Sequence, residues 1–493
     1  MQRLYFTIIL LLCANIALAS TIGIATGNKT VDGRPLLFKN KDRTDNYPSD
    51  VNFYNGTSDG YYSYVFQQND GQNHERARMG LNEAGFGIVY STSENLEGAE
   101  TGPYGSQFAA MALKTCASLE DFRDLLESTA GERRVHEHFG VIDSSGAGSL
   151  FEVDGYSHVE IPIIDSIGTM ANTAKYHPSA GAPASGSTSP DREARATYLL
   201  THGPNEGLSY RYFIDEIIKD FSHTQEDEDR MPLGQYYTNP VLSRYKTAAG
   251  AVIRGIKPGD KPQIISAMWL CLSEPSLSVA LPFFTNISSV PYFIRSSSEG
   301  DGMAGSSDRL RRLVYSYANG RYGDRYADTF MLLNIREHTY PIQDSLFTAY
   351  ERNLPLWLTQ SDQEAKQNMS DWMYDIQLWA KTKYDSIGIL LPIADKESFV
   401  TDTFLLMQNF PNPFNGHTVI PFILRRKEDV KITVYNTLGQ KIWSWSRSRL
   451  NRGFHELRFP DNNALNKPIG AGVYIYRLRT ASGQQTRKMI YLP

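Results

Sequence analysis

The chain has 493 residues, of which 41% are hydrophobic and 12% aromatic, enough to bury a large core divided into more than one unit and to exclude wholesale disorder. Forty-nine basic residues against 54 acidic ones leave a net charge of -5, which argues against a nucleic-acid partner. Of the three cysteines, Cys13 falls in a segment expected to be removed, so Cys116 and Cys271 are an optional pair rather than a disulfide framework. There is no C-x-x-C or Cys/His ligand cluster, and His136 and His138 have no third ligand nearby, so no metal or other cofactor is expected.

Residues 1–19 read as a signal peptide: Arg3 near the start, an apolar run from Tyr5 to Leu12, and Ala17-Leu18-Ala19 as the small-x-small cleavage pattern. No other stretch reaches the roughly 18 uninterrupted apolar residues a membrane span requires, so no transmembrane segment is expected. Cleavage after Ala19 makes Ser20 the first residue of the mature chain. An N-terminal serine carries nucleophile and base together, because its own α-amine, with a pKa of about 7.7 to 8.0, can take the hydroxyl proton.

Downstream, Thr21 to Thr26 is a β-branched run suited to a buried strand, Asp32-Gly33 is a hairpin turn signal, and Leu36 to Phe38 begins a return strand. That places Asp42, at the end of Lys39-Asn40-Lys41-Asp42, where a carboxylate can face the first residue of the neighbouring strand and orient its amine.

These segments resemble the N-terminal nucleophile hydrolases, in the branch of choloylglycine hydrolases, penicillin V acylases, and the isopenicillin-N acyltransferase and carcinine hydrolase group. Ser20-Thr21 and Lys39-Asn40-Lys41-Asp42 sit where that branch has Cys-Thr and Arg-Asn-x-Asp. Ser20 replaces cysteine, and Lys39 keeps the charge of the arginine without its planar fork. Gly80-Leu81-Asn82-Glu83-Ala84-Gly85-Phe86 is similar to the family's G-M-N-E-x-G-L, after which a strand ends in a contributor to the oxyanion site; here the end reads Tyr90-Ser91-Thr92, with Tyr90 and Thr92 as candidates.

Phe139 to Asp143 and Ser149 to Val153 read as two strands around a glycine-rich turn, and Phe151-Glu152-Val153-Asp154-Gly155 is closer to the acyltransferase-like group. Ile167 to Thr173 is similar to the strand ending in an asparagine whose amide points at the oxyanion, which the resemblance assigns to Asn172. Ser179 to Pro190 is a small-residue loop, after which Ser189-Pro190-Asp191 opens a helix. The family's active-site arginine in a matching stretch corresponds to Arg192 or Arg195. Gln360 to Tyr384 is a long helical segment, and Ile387 to Ile393 is strand-like.

From about Asp395 the texture changes, to prolines from Gln408 and then short strands at roughly ten-residue spacing, from Thr418 to Leu424 through Lys488 to Leu492, the pattern of a small β-sandwich. Gln408-Asn409-Phe410-Pro411-Asn412-Pro413-Phe414-Asn415, Val434-Tyr435-Asn436-Thr437-Leu438-Gly439-Gln440 and Gly472-Val473-Tyr474-Ile475-Tyr476-Arg477-Leu478 closely resemble the C-terminal sorting domain of type IX secretion cargo. The resemblance implies export through the periplasm of a Gram-negative-type cell, with the type IX machinery as partner of residues 406–493, to the medium or the cell surface.

The expected architecture is α+β: a four-layer αββα sandwich over residues 20–395, a linker at 396–405, and a small all-β, immunoglobulin-like sandwich over 406–493. The resemblance implies a secreted amidohydrolase or acyltransferase acting on a small-molecule N-acyl amide. Ser20, Asp42 and Asn172 are its catalytic candidates, and Lys39, Tyr90, Thr92, Arg192 and Arg195 its substrate or oxyanion candidates. The alternatives are a catalytically silent binding protein on the same fold and a related dipeptidase, which has Arg-Asn-Glu-Asp in place of Lys39 to Asp42.

Overall fold

A computed structural model describes residues 20–42, 49–56, 58–69, 75–222, 234–295, 302–315, 325–390, 404–406, 409, 412–415, 417–424, 426–451, 453–459 and 470–492. The expected signal peptide, residues 396–403 of the expected linker, and Gln408, Phe410 and Pro411 of the sorting motif lie outside the described residues.

The first fifteen strands are β1 (Ser20–Ala25), β2 (Leu36–Asp42), β3 (Asp50–Tyr54), β4 (Tyr64–Gln68), β5 (Met79–Asn82), β6 (Gly87–Thr92), β7 (Glu137–Ile142), β8 (Gly148–Val153), β9 (His158–Ile163), β10 (Ile167–Met170), β11 (Gln235–Tyr237), β12 (Thr247–Arg254), β13 (Ala267–Cys271), β14 (Leu281–Phe283) and β15 (Tyr326–Asp328). The helices are α1 (Gly105–Thr115), α2 (Leu119–Ser128), α3 (Ser189–Thr201), the short α4 (Tyr210–Tyr212) running into a π-helical stretch Phe213–Ile218, α5 (Pro262–Ile265), α6 (Gly302–Val314), α7 (Thr329–Leu358) and α8 (Asp362–Leu390).

Two antiparallel sheets form the centre. One has the order β10-β1-β2-β12-β13-β14; the other is a seven-stranded meander from β3 to β9, and β11 pairs with β15 in a separate ribbon. Strands β1 and β12 are buried along their whole length, since one face meets the other sheet and the opposite face meets helices. Small residues let the sheets approach: a Cβ on Gly140 would lie 2.8 Å from Leu37 Cδ1, and one on Gly148 would lie 2.3 Å from Ile24 Cδ1.

Helices α1 and α2 cover the outer face of the meander, where Phe108 and Phe122 pack with Phe86, Phe139 and Phe151 at centroid separations of 5.1 to 6.1 Å. Helix α2 starts in a capping box, Ser118 accepting the Asp121 N–H and Asp121 the Ser118 N–H. On the other sheet, Phe38 meets Phe213 of the π-helical stretch at 5.8 Å, and Trp269 packs against Tyr210, Phe347 and Tyr350. The layers are therefore helix, sheet, sheet, helix, as the αββα reading expects.

Two local expectations are corrected. Asp32-Gly33 does turn, with Gly33 at φ +74°, but the connection spans residues 26–35 and adds a 3-10 turn at Gly27–Lys29 rather than closing a tight hairpin. Of the expected strand Ile387 to Ile393, residues 387–390 continue helix α8 and 391–393 lie outside the described residues; Ala380, Tyr384 and Ile387 recur at helical spacing and are all buried, which places Ile387 on a helix face. Cys116, at the C-cap of α1, and Cys271, at the end of β13, are both free and buried.

The C-terminal segment folds around its own core. Strands β16 (Phe404–Leu406), β17 (Thr418–Leu424) and β20 (Gly453–Phe459) make a three-stranded sheet; β18 (Glu428–Asn436), β19 (Lys441–Leu450), β21 (Gly472–Thr480) and β22 (Gly483–Tyr491) make a four-stranded one. Phe404, Phe422, Ile432, Tyr476 and Met489 fill the space between them, a small sandwich. The motif residues are structural: Asn409 N–H donates to the Tyr476 hydroxyl at 2.8 Å, and the Phe414 backbone bonds to Ile490 and Leu492.

Candidate active site

Ser20 opens β1 between β10 and β2, paired with Lys41 across the ladder and only 5% exposed. Its backbone is held on both sides. The N–H donates to Asn172 Oδ1 at 3.0 Å, and the carbonyl accepts from Arg192 Nη1 at 2.7 Å and Ser91 Oγ at 3.3 Å. Its hydroxyl has no hydrogen bond among the described residues.

Asn172 follows β10, and its amide orientation is settled by its partners. Oδ1 faces donors only, the Ser20 N–H, Arg192 Nη2 at 2.8 Å and the Ser189 hydroxyl at 3.4 Å, while the NH2 group donates to the Thr92 carbonyl at 2.7 Å and Ser91 Oγ at 2.9 Å. The amide that the sequence reading aims at an oxyanion thus presents its oxygen to Ser20 and commits its NH2 elsewhere.

Ser91 is the residue the sequence reading missed. Side chains alternate along β6, so Ser91 faces β1 while Tyr90 and Thr92 face the other side of the sheet. The Ser91 hydroxyl donates to Ala171 O at 2.7 Å, which also takes Nδ1–H of the buried His138 at 2.9 Å; because a carbonyl only accepts, the His138 proton sits on Nδ1. Period-two counting back from the strand end would have found Ser91, and Ser189 was visible as the start of α3.

Asp42 ends β2, but its carboxylate is engaged away from the Ser20 N–H. Arg244 donates to Oδ2 at 2.6 Å and Thr247 to Oδ1 at 2.7 Å. Nothing in the sequence marked Arg244, which lies 202 residues further along the chain. Of the two arginines on α3, Arg192 reaches the site, bonding Ser20 O, Thr21 Oγ1, Asn172 Oδ1 and Ser189 Oγ. Arg195 turns to the buried Asp220 at 2.7 Å, a pair that ties α3 to the segment after the π-helix. Burial and the neighbouring Arg244 pull the Arg192 guanidinium below the ordinary arginine value, though arginine stays charged in proteins.

Lys39 also turns from Ser20. It opposes Ile22 in the ladder, donates to the Arg78 carbonyl at 3.0 Å and lies 4.3 Å from the Tyr90 ring centroid, while Arg78 Nη1 holds the Tyr90 hydroxyl at 2.7 Å. Burial, with Arg78 adding to it, holds the Lys39 ammonium well below its usual range. In the same cluster burial pushes the Glu137 carboxyl up to about 7, against the His136 N–H and the Arg78 and Lys39 charges.

A carboxyl raised from 4.5 to about 7 contributes stability that is complete below pH 4.5 and lost as pH rises through about 7. Glu137→Gln removes that loss. We expect the variant to gain on the order of 1 to 3 kcal/mol relative to the parent between pH 4.5 and pH 8, read as diverging melting temperatures; parallel pH profiles would exclude it.

Residues 408–491 match the family model described as a secretion system C-terminal sorting domain. That segment is a sorting domain, and the chain is an exported protein, secreted or held at the cell surface. No curated protein sequence matches the chain. Among solved structures, the chain is similar to a conjugated bile acid hydrolase from Clostridium perfringens, with 11% identity, a TM-score of 0.37 and coverage of 54% of this chain and 92% of that one. It is similar to penicillin V acylase from Agrobacterium tumefaciens, with 13% identity, a TM-score of 0.35 and coverage of 54% and 86%. Over 18% of this chain and 9% of the other it is similar to dimeric latent PorU from Porphyromonas gingivalis, with 22% identity and a TM-score of 0.16. The four-layer arrangement itself stands on the strand order and packing described above.

Proposed function

We propose that this chain is a secreted hydrolase of linear amides whose nucleophile is Ser20, exposed as the first residue when the signal peptide is removed, and whose passage across the outer membrane uses the type IX machinery acting on residues 406–493. One observation carries the reading: the nitrogen of Ser20, the residue after the small-x-small cut, is held 3.0 Å from Asn172 Oδ1 while Arg192 grips the Ser20 carbonyl. Cleavage before Ser20 would leave an α-amine fixed beside its own hydroxyl.

In this mechanism the neutral amine donates one N–H to Asn172 Oδ1 and keeps its lone pair for the hydroxyl proton. Cationic neighbours favour the uncharged form of an amine: Arg192 holds the carbonyl of the same residue, and Asp42, which pairs with Arg244, is the carboxylate that acts on Arg192 through space. Ser20 Oγ attacks the carbonyl carbon as its proton passes to the amine. Negative charge develops on the substrate oxygen in the field of the Arg192 guanidinium. The ammonium then protonates the departing amine, and water, activated by the same α-amine, releases the acid from the Ser20 ester.

The first test joins two measurements on protein recovered from culture medium: the terminal residue by mass spectrometry, and hydrolysis of N-acyl glycines, bile-acid conjugates and penicillin V. A chain beginning with a free Ser20 that cleaves at least one class is the expected result. A chain that begins elsewhere, or a free Ser20 inert toward every class, would favour the silent binding protein.

A further inference from the structure

A cavity of about 770 Å³ opens where the turn before β6, the end of α1 and the residue 60–62 loop meet α5. It is separate from the candidate active site. The Glu83-Ala84 turn lines it, and β6 then runs from Gly87 to Ser91, the residue beside Ser20, a rise of about 13 Å. Hydrogen bonds tie its walls together: Tyr62 N–H donates to Lys114 O at 3.0 Å, Glu83 N–H to Ser63 O at 2.9 Å, and the Asn82 amide to the Leu113 and Cys116 carbonyls at the end of α1. The space is therefore built into the fold, and its volume falls in the range of small-ligand sites, about 300 to 1,000 Å³.

The side chains that line it keep unspent polar capacity of both signs. Lys114 forms no hydrogen bond or ion pair among the described residues; its Nζ lies 5.1 Å from the Tyr54 ring centroid and 5.9 Å from that of Tyr61. Glu83 Oε1 accepts the Ser63 N–H at 2.9 Å, and Oε2 has no donor among the described residues. The exposed Gln263 amide has no hydrogen-bond partner among them either. Tyr61, 45% exposed, presents aromatic surface to the same space.

Lys114 and Glu83 cancel in charge, so the lining asks for no net charge from a ligand. It asks for acceptors toward an ammonium and donors toward a carboxylate in one molecule, next to an apolar face for the tyrosine. A sugar ring supplies all three, because each hydroxyl both donates and accepts and the C–H groups of the ring make a face that stacks on an aromatic side chain. We propose that this cavity binds a neutral saccharide, with Tyr61 as the stacking platform and Glu83 and Lys114 as the pair that reads the hydroxyls. Export places the protein where glycan chains occur, and this site would hold it on one. The inference stands independently of the amidase reading.

Full-length protein recovered from culture medium is run in native gels containing laminarin, galactomannan or hydroxyethylcellulose, with polygalacturonate as a charged control. Retardation by at least one neutral polymer is expected, and affinity is read from its dependence on polymer concentration. Tyr61→Ala should weaken that affinity at least about tenfold and Tyr61→Phe should keep it, since the ring rather than the hydroxyl makes the stack. Lys114→Met and Glu83→Gln should each weaken it at least about threefold, the size of a net hydrogen bond. Glutamine keeps an oxygen for the Ser63 N–H, so Glu83→Gln remains a test if the Lys114 variant fails to fold. Migration unchanged by all three neutral polymers, retardation by polygalacturonate alone, or retardation that Tyr61→Ala leaves intact overturns the site. An inert Ser20 alters none of these readings.

Discussion

Ser20→Ala is expected to lower kcat for amide hydrolysis by at least about 10³-fold while leaving the melting temperature nearly unchanged. The separation is possible because Ser20 is held through its backbone. Its N–H and carbonyl make the bonds to Asn172, Arg192 and Ser91, and its hydroxyl makes none among the described residues. Substitution by alanine removes the nucleophile and keeps every recorded bond, so stability should move by no more than about 0.5 kcal/mol. Ser20→Cys, which restores a nucleophile in the same place, should recover turnover. The measurement is kcat on an N-acyl glycine together with a melting curve; full activity in the alanine variant would end the case for an N-terminal nucleophile.

Asn172→Leu should have the second large effect, this time on fold and activity together. The asparagine side chain accepts from Ser20, Arg192 and Ser189 and donates to Ser91 and Thr92. Leucine leaves a buried backbone N–H, a guanidinium N–H and a carbonyl without partners, at about 1 to 3 kcal/mol each before relaxation, so a net loss of about 3 to 5 kcal/mol is expected from chemical denaturation. Asn172→Asp is the informative companion. Its carboxylate still accepts from Ser20 and Arg192 but stabilises an ammonium, so the acid limb of the pH–rate profile should move to higher pH. A profile identical to that of the parent would show that this side chain does not touch the catalytic amine.

Much of the architecture was legible because its signals are local. The β-branched run after Ser20, the N-E-x-G turn before β6, the glycine-rich turn between β7 and β8, and Pro190 at the start of α3 each act over a few residues, and each produced its element. The same holds for the C-terminal sandwich, whose alternating strands and turn residues are close together in sequence. Where a local signal had two outcomes the protein chose by burial: Ile387 reads equally as strand or helix until Ala380 and Tyr384 place it on a buried helical face.

By itself, the sequence predicts an export leader before Ser20, and it determined that two strands and a carboxylate come next and that the chain ends in a sorting sandwich. Only the tertiary structure decided which side chains surround Ser20. It selected Arg192 over Arg195, turned Lys39 toward Tyr90, brought Ser91 rather than Thr92 to β1, and paired Asp42 with Arg244 from a region with no motif. The reason is separation along the chain. Asn172 meets Ser20 across 152 residues and Arg244 meets Asp42 across 202. Contacts of that kind are set by sheet register and by which face of each strand points inward, and a shift of one residue exchanges the two faces.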